Sequence, residues 1–336
     1  MTQNQDKLRW GVLGVAKINE RLLPAFAKAG HADLRAIASR SPQRAEEAAR
    51  RAGITKAYHS YEALLDDPNV DAVYLPLPNT LHAEWARKAA ERGKHVLCEK
   101  PLTPTAAEAE ELIAFCKAKG VQLMDGFMWP HHPRTTRLRQ FIDRGGIGTV
   151  RRVVGAFTFL LQPLQPSNIR LQHGLAGGSL LDVGCYPVYG IRWAFGAEPV
   201  KVFATARYLH GVDVEMSGML WFDDERTAAF DCGFTTPLRG WLEIVGTDGV
   251  VNVPEMWLPP PRATFAVHRE GGAVEVVATA DADQIVQMIE DFGTAILDNR
   301  PVRPPVEEAV GTIRVLDALA RSAREGREIA VDRHGR

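Results

Sequence analysis

From residue 8 to residue 125, short apolar runs alternate with stretches of helical periodicity. No other feature of this sequence restricts the fold as much. The runs are Leu8–Leu13, Leu34–Ala38, Val70–Leu75, His95–Cys98 and Val121–Met124. Between them lie helical patterns: one after Gly14 carried by Leu22, Leu23 and Phe26, then 44–51, 61–65, 81–92 and 106–119. Strands separated by helices cannot pair as hairpins, so the alternation predicts a parallel, doubly wound sheet. Ligands of such sheets lie beyond the carboxyl ends of the strands. Gly14, Ser39, the loop Pro76-Leu77-Pro78-Asn79 and the exit Glu99-Lys100-Pro101 all fall on that edge.

The turn after the first strand, Gly14-Val15-Ala16-Lys17-Ile18-Asn19, has the strand–turn–helix setting of a dinucleotide fingerprint. Ala16 stands where the second glycine is expected and is small enough for a pyrophosphate to approach. Asn19 replaces the third glycine, which either loosens helix–strand packing or brings an amide to the ligand. At the end of the second strand, where an NAD site carries an acid for the ribose 2′-hydroxyl, this chain has Ser39 and Arg40, with Arg44 one turn on. A hydroxyl and guanidinium groups suit a 2′-phosphate, so NADP is expected over NAD. Asp33 is at the wrong end of the strand for that role. Lys100, between Glu99 and a φ-fixing proline, is placed by topology near the nicotinamide end.

Later in the chain, Gly177-Gly178-Ser179-Leu180-Leu181-Asp182-Val183-Gly184-Cys185-Tyr186 reads as a helix start with Ser179 as N-cap. Asp182 and Tyr186 then share a helix face, and Pro187 is expected to kink the helix directly after the tyrosine. Strand patterns at 150–160, 200–208, 215–222, 227–234, 241–245 and 250–253 predict one sheet, with turn signals at Asp223-Asp224 and Asp248-Gly249, which 262–268 and 274–278 extend. Helices are expected at about 282–298 and 306–323. Residues 1–125 are therefore expected to form a dinucleotide-binding domain, and 126–336 a second domain.

Composition removes other classes. Forty basic residues against forty-one acidic ones, with no basic stripe, argue against a nucleic-acid partner. The four cysteines form no C-x-x-C pair, and no histidine spacing suits a metal, so no metal is expected. The polar stretch 1–9 lacks the apolar core of a signal peptide, and no run is long enough to span a membrane. A cytoplasmic protein is the expectation.

The Gly11–Ala16 turn, Glu99-Lys100-Pro101, the 177–186 stretch and Glu243-Ile244-Val245-Gly246-Thr247-Asp248-Gly249 occur together in one order and spacing. On these elements the chain resembles the Gfo/Idh/MocA oxidoreductases, in the branch that carries tyrosine at the position of Tyr186. The resemblance implies a Rossmann domain followed by a C-terminal α/β domain whose large, mostly antiparallel open sheet joins copies into a homodimer or homotetramer. It implies Lys100, Asp182 and Tyr186 as the catalytic group, with Tyr186 as general acid/base assisted by Lys100. Expected cofactor contacts are Gly14, Val15, Ala16, Lys17, Ile18, Ser39, Arg40, Arg44, Pro76, Leu77, Asn79, His82, Glu99 and Lys100. Expected substrate contacts are Lys100, Trp129, His131, Asn168, Arg170, Asp182 and Tyr186, with His132 also in reach. The residues leave core packing open for Trp129 and ordinary loop polarity open for Asn168 and Arg170. The activity implied is NADP-dependent oxidation of a sugar or polyol carbinol, of the xylose 1-dehydrogenase type. Keto-sugar reduction, dihydrodiol oxidation and a non-catalytic NADP-binding regulator are the alternatives.

Overall fold

The computed structural model describes residues 7–333, so part of the N-terminal stretch 1–9 lies outside the described residues. Two compact units emerge. The first takes 7–103, 107–131 and 283–309; the second takes 104–106, 132–282 and 310–333. The division is thus not a single cut near residue 125, because 283–309 packs with the first unit.

The first unit carries β1 (Leu8–Leu13), β2 (Ala32–Ala38), β3 (Lys56–Tyr58), β4 (Ala72–Leu75), β5 (His95–Cys98) and β6 (Leu123–Asp125). They form one parallel sheet in the order β3-β2-β1-β4-β5-β6. The order reverses between β1 and β4, the point at which doubly wound sheets bind dinucleotides. Strand β3 was not foreseen, since three residues carry too little periodicity to register. Helix Gln284–Leu297 closes one face of this unit, where Phe292 packs on Trp10 at 5.2 Å between ring centroids. Trp10, Phe26, Met288, Ile289 and Phe292 belong to one core, fully or almost fully buried. Each such side chain contributes about 1.5–3 kcal/mol of burial, so the returning helix is integral to the nucleotide half.

The second unit is built on β7 (Val150–Thr158), β8 (Lys201–Leu209), β9 (Val212–Trp221), β10 (Thr227–Gly233), β11 (Arg239–Gly246), β12 (Val250–Val253), β13 (Thr264–His268), β14 (Val274–Ala278) and β15 (Ile329–Ala330). The sheet order is β14-β13-β12-β11-β7-β10-β9-β8-β15. Every neighbouring pair is antiparallel except β7–β10. Burial alternates along β9 and β13, which marks a sheet with one covered face. Helix Cys185–Phe195 lies on that face against β7. Arg134, almost fully buried, spends its guanidinium on the carbonyl oxygens of Pro254, Glu255 and Met256, fixing the segment that carries Trp257. Among the described residues no helix is long and apolar enough to cross a membrane.

Candidate active site

In the first unit, the expected cofactor residues line one sheet edge. Gly14 adopts φ +129°, a conformation open to glycine, and a Cβ there would come within 3.0 Å of Leu77. Its N–H donates to the Ala38 carbonyl at 2.9 Å, which ties the turn to the end of β2. Asn19 is buried and turned inward: its side-chain amide donates to the Gly14 carbonyl at 2.8 Å. It therefore braces the turn from within, and the idea of an amide facing the ligand is corrected. Arg44 donates to the Val15 carbonyl at 2.6 Å, so this guanidinium also holds the turn. Ser39 is buried and its hydroxyl accepts the Ser41 N–H at 3.2 Å, while Arg40 is exposed beside it. Asp33, at the far end of β2, takes Arg35.

His82 is fully buried, with Nε2 2.8 Å from the Leu77 carbonyl oxygen and Nδ1 2.9 Å from that of Pro101. Burial pushes its imidazole below the usual range. The expected cofactor contact at His82 is thereby corrected to a brace between the loops after β4 and β5. Tyr74 donates to Glu99 at 2.6 Å, and Lys100 follows on the same loop. Beside them, Asp125 at the end of β6 is in register with Cys98. Burial pushes its carboxyl up to about 8, with Glu99 adding to the effect and Lys100 opposing it. Asp125 carries no local sequence signal, because its neighbours come from another strand.

Trp129 is fully buried, which corrects its expected sugar contact to core packing. His131 is nearly as buried; its Nδ1 holds Asp291 at 2.7 Å, while its Nε2 has no hydrogen-bond partner among the described residues.

In the second unit, the 177–186 stretch departs from a simple capped helix. Ser179 has helical φ and ψ and caps nothing. The cap comes from Asp213, whose Oδ2 accepts from the Ser179 hydroxyl and the Leu180 N–H, each at 2.6 Å. Gly178, at φ +118°, makes room for it: a Cβ there would lie 2.3 Å from Asp213 Oδ1. Leu180–Gly184 form one π-helical turn that passes into the α-helix Cys185–Phe195. Such turns recur at functional sites because they re-aim side chains. Pro187 sits in the first turn of the α-helix, so the irregularity of the helix, its change from π to α, precedes the proline where a break directly after Tyr186 was expected.

Tyr186 is buried in an aromatic wall, edge-on to Phe157 at 5.0 Å and tilted against Trp257 at 6.0 Å. Trp257 reaches it because Gly190 leaves space, and its indole N–H donates to the Ala156 carbonyl at 2.8 Å. Asp182 accepts from Arg170 Nε at 2.6 Å. Arg170 thus binds the carboxylate, and the Asn168 side-chain oxygen caps the Arg170 N–H at 3.0 Å, where hydroxyl contacts were expected of both. His132 accepts the Arg134 N–H and caps helix Pro133–Asp143. Among the described residues no cluster of three or more metal-ligating side chains exists.

A parallel sheet with a glycine turn at its switch point, and no acid at the end of β2, defines a dinucleotide-dependent enzyme. Residues 8–127 match the oxidoreductase family, NAD-binding Rossmann fold, of the GFO/IDH/MocA group, and 135–252 match the GFO/IDH/MocA C-terminal domain. The chain is 38% identical over 328 residues to D-xylose 1-dehydrogenase (NADP(+)) 2 of Haloferax volcanii, covering 97% of this chain and all of that one. It is similar to the solved 3-ketoreductase of Actinomadura kijaniata bound to NADP and TDP-benzene, with 33% identity, a TM-score of 0.88 and coverage of 94% and 98% of the two chains. That ketoreductase has also been solved with a tyrosine changed to phenylalanine and with a lysine changed to alanine. The aldose–aldose oxidoreductase of Caulobacter crescentus, with glycerol, aligns at a TM-score of 0.89 and 28% identity over 97% of this chain and all of that one. The chain belongs to the GFO/IDH/MocA oxidoreductase family. It is an NAD(P)-dependent oxidoreductase acting on sugar CH–OH or keto groups.

Proposed function

We propose that the protein is an NADP-dependent aldose 1-dehydrogenase of the xylose type, with Tyr186 as general acid/base and Lys100 assisting it. The observation that carries the proposal is the pairing of Asp182 with Arg170 four residues before a buried tyrosine. A phenol is too weak a base near neutrality, with an ordinary pKa of about 10. An adjacent carboxylate opposes its ionisation, whereas an adjacent ammonium favours it. Arg170 offsets the Asp182 charge, so the carboxylate opposes the phenolate less, and an ammonium such as that of Lys100 favours it. Bound nicotinamide supplies the hydride acceptor. Tyr186 takes the hydroxyl proton, and Asp182 and Lys100 orient the sugar.

The preference for NADP rests on Ser39 and Arg40, and the 38% identical relative is NADP-linked by name. The expected oligomer stays part of the proposal, through the sheet that leaves Tyr208, Met219 and Val276 exposed. Light scattering on the purified protein tests it.

The enzymatic test is a panel of free aldoses, polyols and keto-sugars run in both directions with NADP+ or NADPH. Oxidation of an aldose, lost in Tyr186→Phe while NADP+ still binds, is the expected result. Full activity in that variant would sink the mechanism. The second reading, keto-sugar reduction, is favoured by a 35% identical dTDP-sugar 3-reductase of Actinomadura kijaniata. Turnover only with a keto-sugar substrate would select it.

A further inference from the structure

Behind Lys100 lies a carboxyl group that the reaction as written does not use. Asp125 ends β6 directly beside Cys98 of β5. The strand ends approach so closely that a Cβ on Gly126 would stand 2.8 Å from the Cys98 carbonyl oxygen and 3.1 Å from the Glu99 Cα. Asp125 Oδ1 is buried and makes no hydrogen bond among the described residues. Glu99 on the loop after β5 opposes its ionisation, while Lys100 on the same loop and the Gly126 backbone N–H favour it; the buried Cys98 thiol is itself pushed up by burial and by Asp125. On β4, Tyr74 donates to Glu99. On the following turn, Trp129–His131, the imidazole of His131 is turned to Asp291.

A buried carboxyl with an unsatisfied oxygen, beside a second carboxyl, is costly to ionise. It needs a further positive charge to do so, and this edge of a doubly wound sheet is where a nicotinamide is delivered. The oxidised ring carries one unit of positive charge and the reduced ring none. We propose that Asp125 responds to that difference: it keeps its proton in the free protein and beside NADPH, and releases it to solvent when NADP+ binds. The inference rests on the reading that NADP(H) binds at this edge. The free carboxyl holds its proton up to about pH 8. A unit charge about 6 Å away, at an effective dielectric of ~20, lowers a carboxyl by roughly two pKa units. Binding of NADP+ near pH 7 therefore releases most of one proton, and binding of NADPH does not.

Titration calorimetry of the full chain at pH 7, in two buffers of different ionisation enthalpy, counts those protons. The ligands are NADP+, NADPH and adenosine 2′,5′-bisphosphate, which has no nicotinamide ring. NADP+ should release at least about half a proton more than either other ligand. Its dissociation constant relative to that of NADPH should fall up to about tenfold per pH unit between pH 6 and 8, then level. Asp125→Asn should abolish the difference and Tyr186→Phe should keep it. If the asparagine variant fails to bind the bisphosphate, Asp125→Ser takes its place. Equal proton counts in the unsubstituted protein, or a difference that survives at position 125 and vanishes in Tyr186→Phe, would overturn the assignment. If neither dinucleotide binds the folded protein, the cofactor reading falls and this inference with it.

Discussion

Arg170 Nε donates to Asp182 Oδ2 at 2.6 Å, joining the polar loop before the glycine pair to the π-helical turn after it. Both side chains keep some contact with solvent, so the pair adds only about 1 kcal/mol or less to stability. Its consequence is for charge and geometry at the turn that leads to Tyr186.

Arg170→Met should therefore leave the melting temperature nearly unchanged and lower kcat/KM by about 10–100-fold, or ~1.4–2.8 kcal/mol of transition-state stabilisation. With Asp182 uncompensated the phenol is harder to ionise, so the rising, acidic limb of the oxidative pH–rate profile should move to higher pH. Adding Asp182→Asn should restore part of the shift, and a double-mutant cycle on kcat/KM measures the coupling. Strict additivity would show that the ion pair does not act on the chemistry.

Gly178→Ala should be among the most damaging single changes in the second unit. The residue would hold φ +118° and drive its Cβ to 2.3 Å from Asp213 Oδ1, displacing the carboxylate that caps the turn. Strain and cap loss together cost about 2–4 kcal/mol, visible as a lower denaturant midpoint. Asp213→Asn preserves the shape and one acceptor oxygen, so its loss should be smaller, about 1 kcal/mol.

How far the sequence revealed this site follows from the range of the contacts involved. The parallel character of the first sheet was legible because it depends on a local pattern of apolar periodicity and turn residues. The cap of the 177–186 stretch was misread because Asp213 lies 34 residues beyond Ser179 and reaches it across a strand. Asn19 and His82 looked like ligand contacts because they stand at ligand-edge positions, yet both side chains turn inward to backbone carbonyls. Asp125 became visible only once β6 was paired with β5. Contacts between strands and loops distant in the chain leave no periodic signal in either partner.

Asp125 also predicts the pH dependence of stability. Unfolded, its carboxyl ionises near 4; folded, it holds its proton to about 8. The unfolded chain thus loses this proton first, so the stabilisation is complete below about pH 4 and declines as pH rises toward 8. Asparagine does not titrate. The melting temperature of Asp125→Asn, compared with the unsubstituted protein, should rise steadily from pH 5 to pH 8 and plateau beyond. A constant offset across that range would count against a protonated Asp125.

Cofactor choice can be reversed at the end of β2. Ser39 is buried and keeps the turn through the Ser41 N–H, while Arg40 is exposed with no carboxylate preceding it at the strand end. A charge-assisted bond from Arg40 to a 2′-phosphate is worth about 1.5–3 kcal/mol, so Arg40→Ala should weaken NADP+ binding by about 10–100-fold and leave NAD+ within about twofold. Ser39→Asp places a carboxylate where a ribose 2′-hydroxyl would donate and where a 2′-phosphate is repelled. Fluorescence titration of both dinucleotides should then show NADP+ weakened and NAD+ strengthened. Parallel losses for the two cofactors in Arg40→Ala would mean that the guanidinium serves the fold of the turn, and the NADP assignment would lose its support.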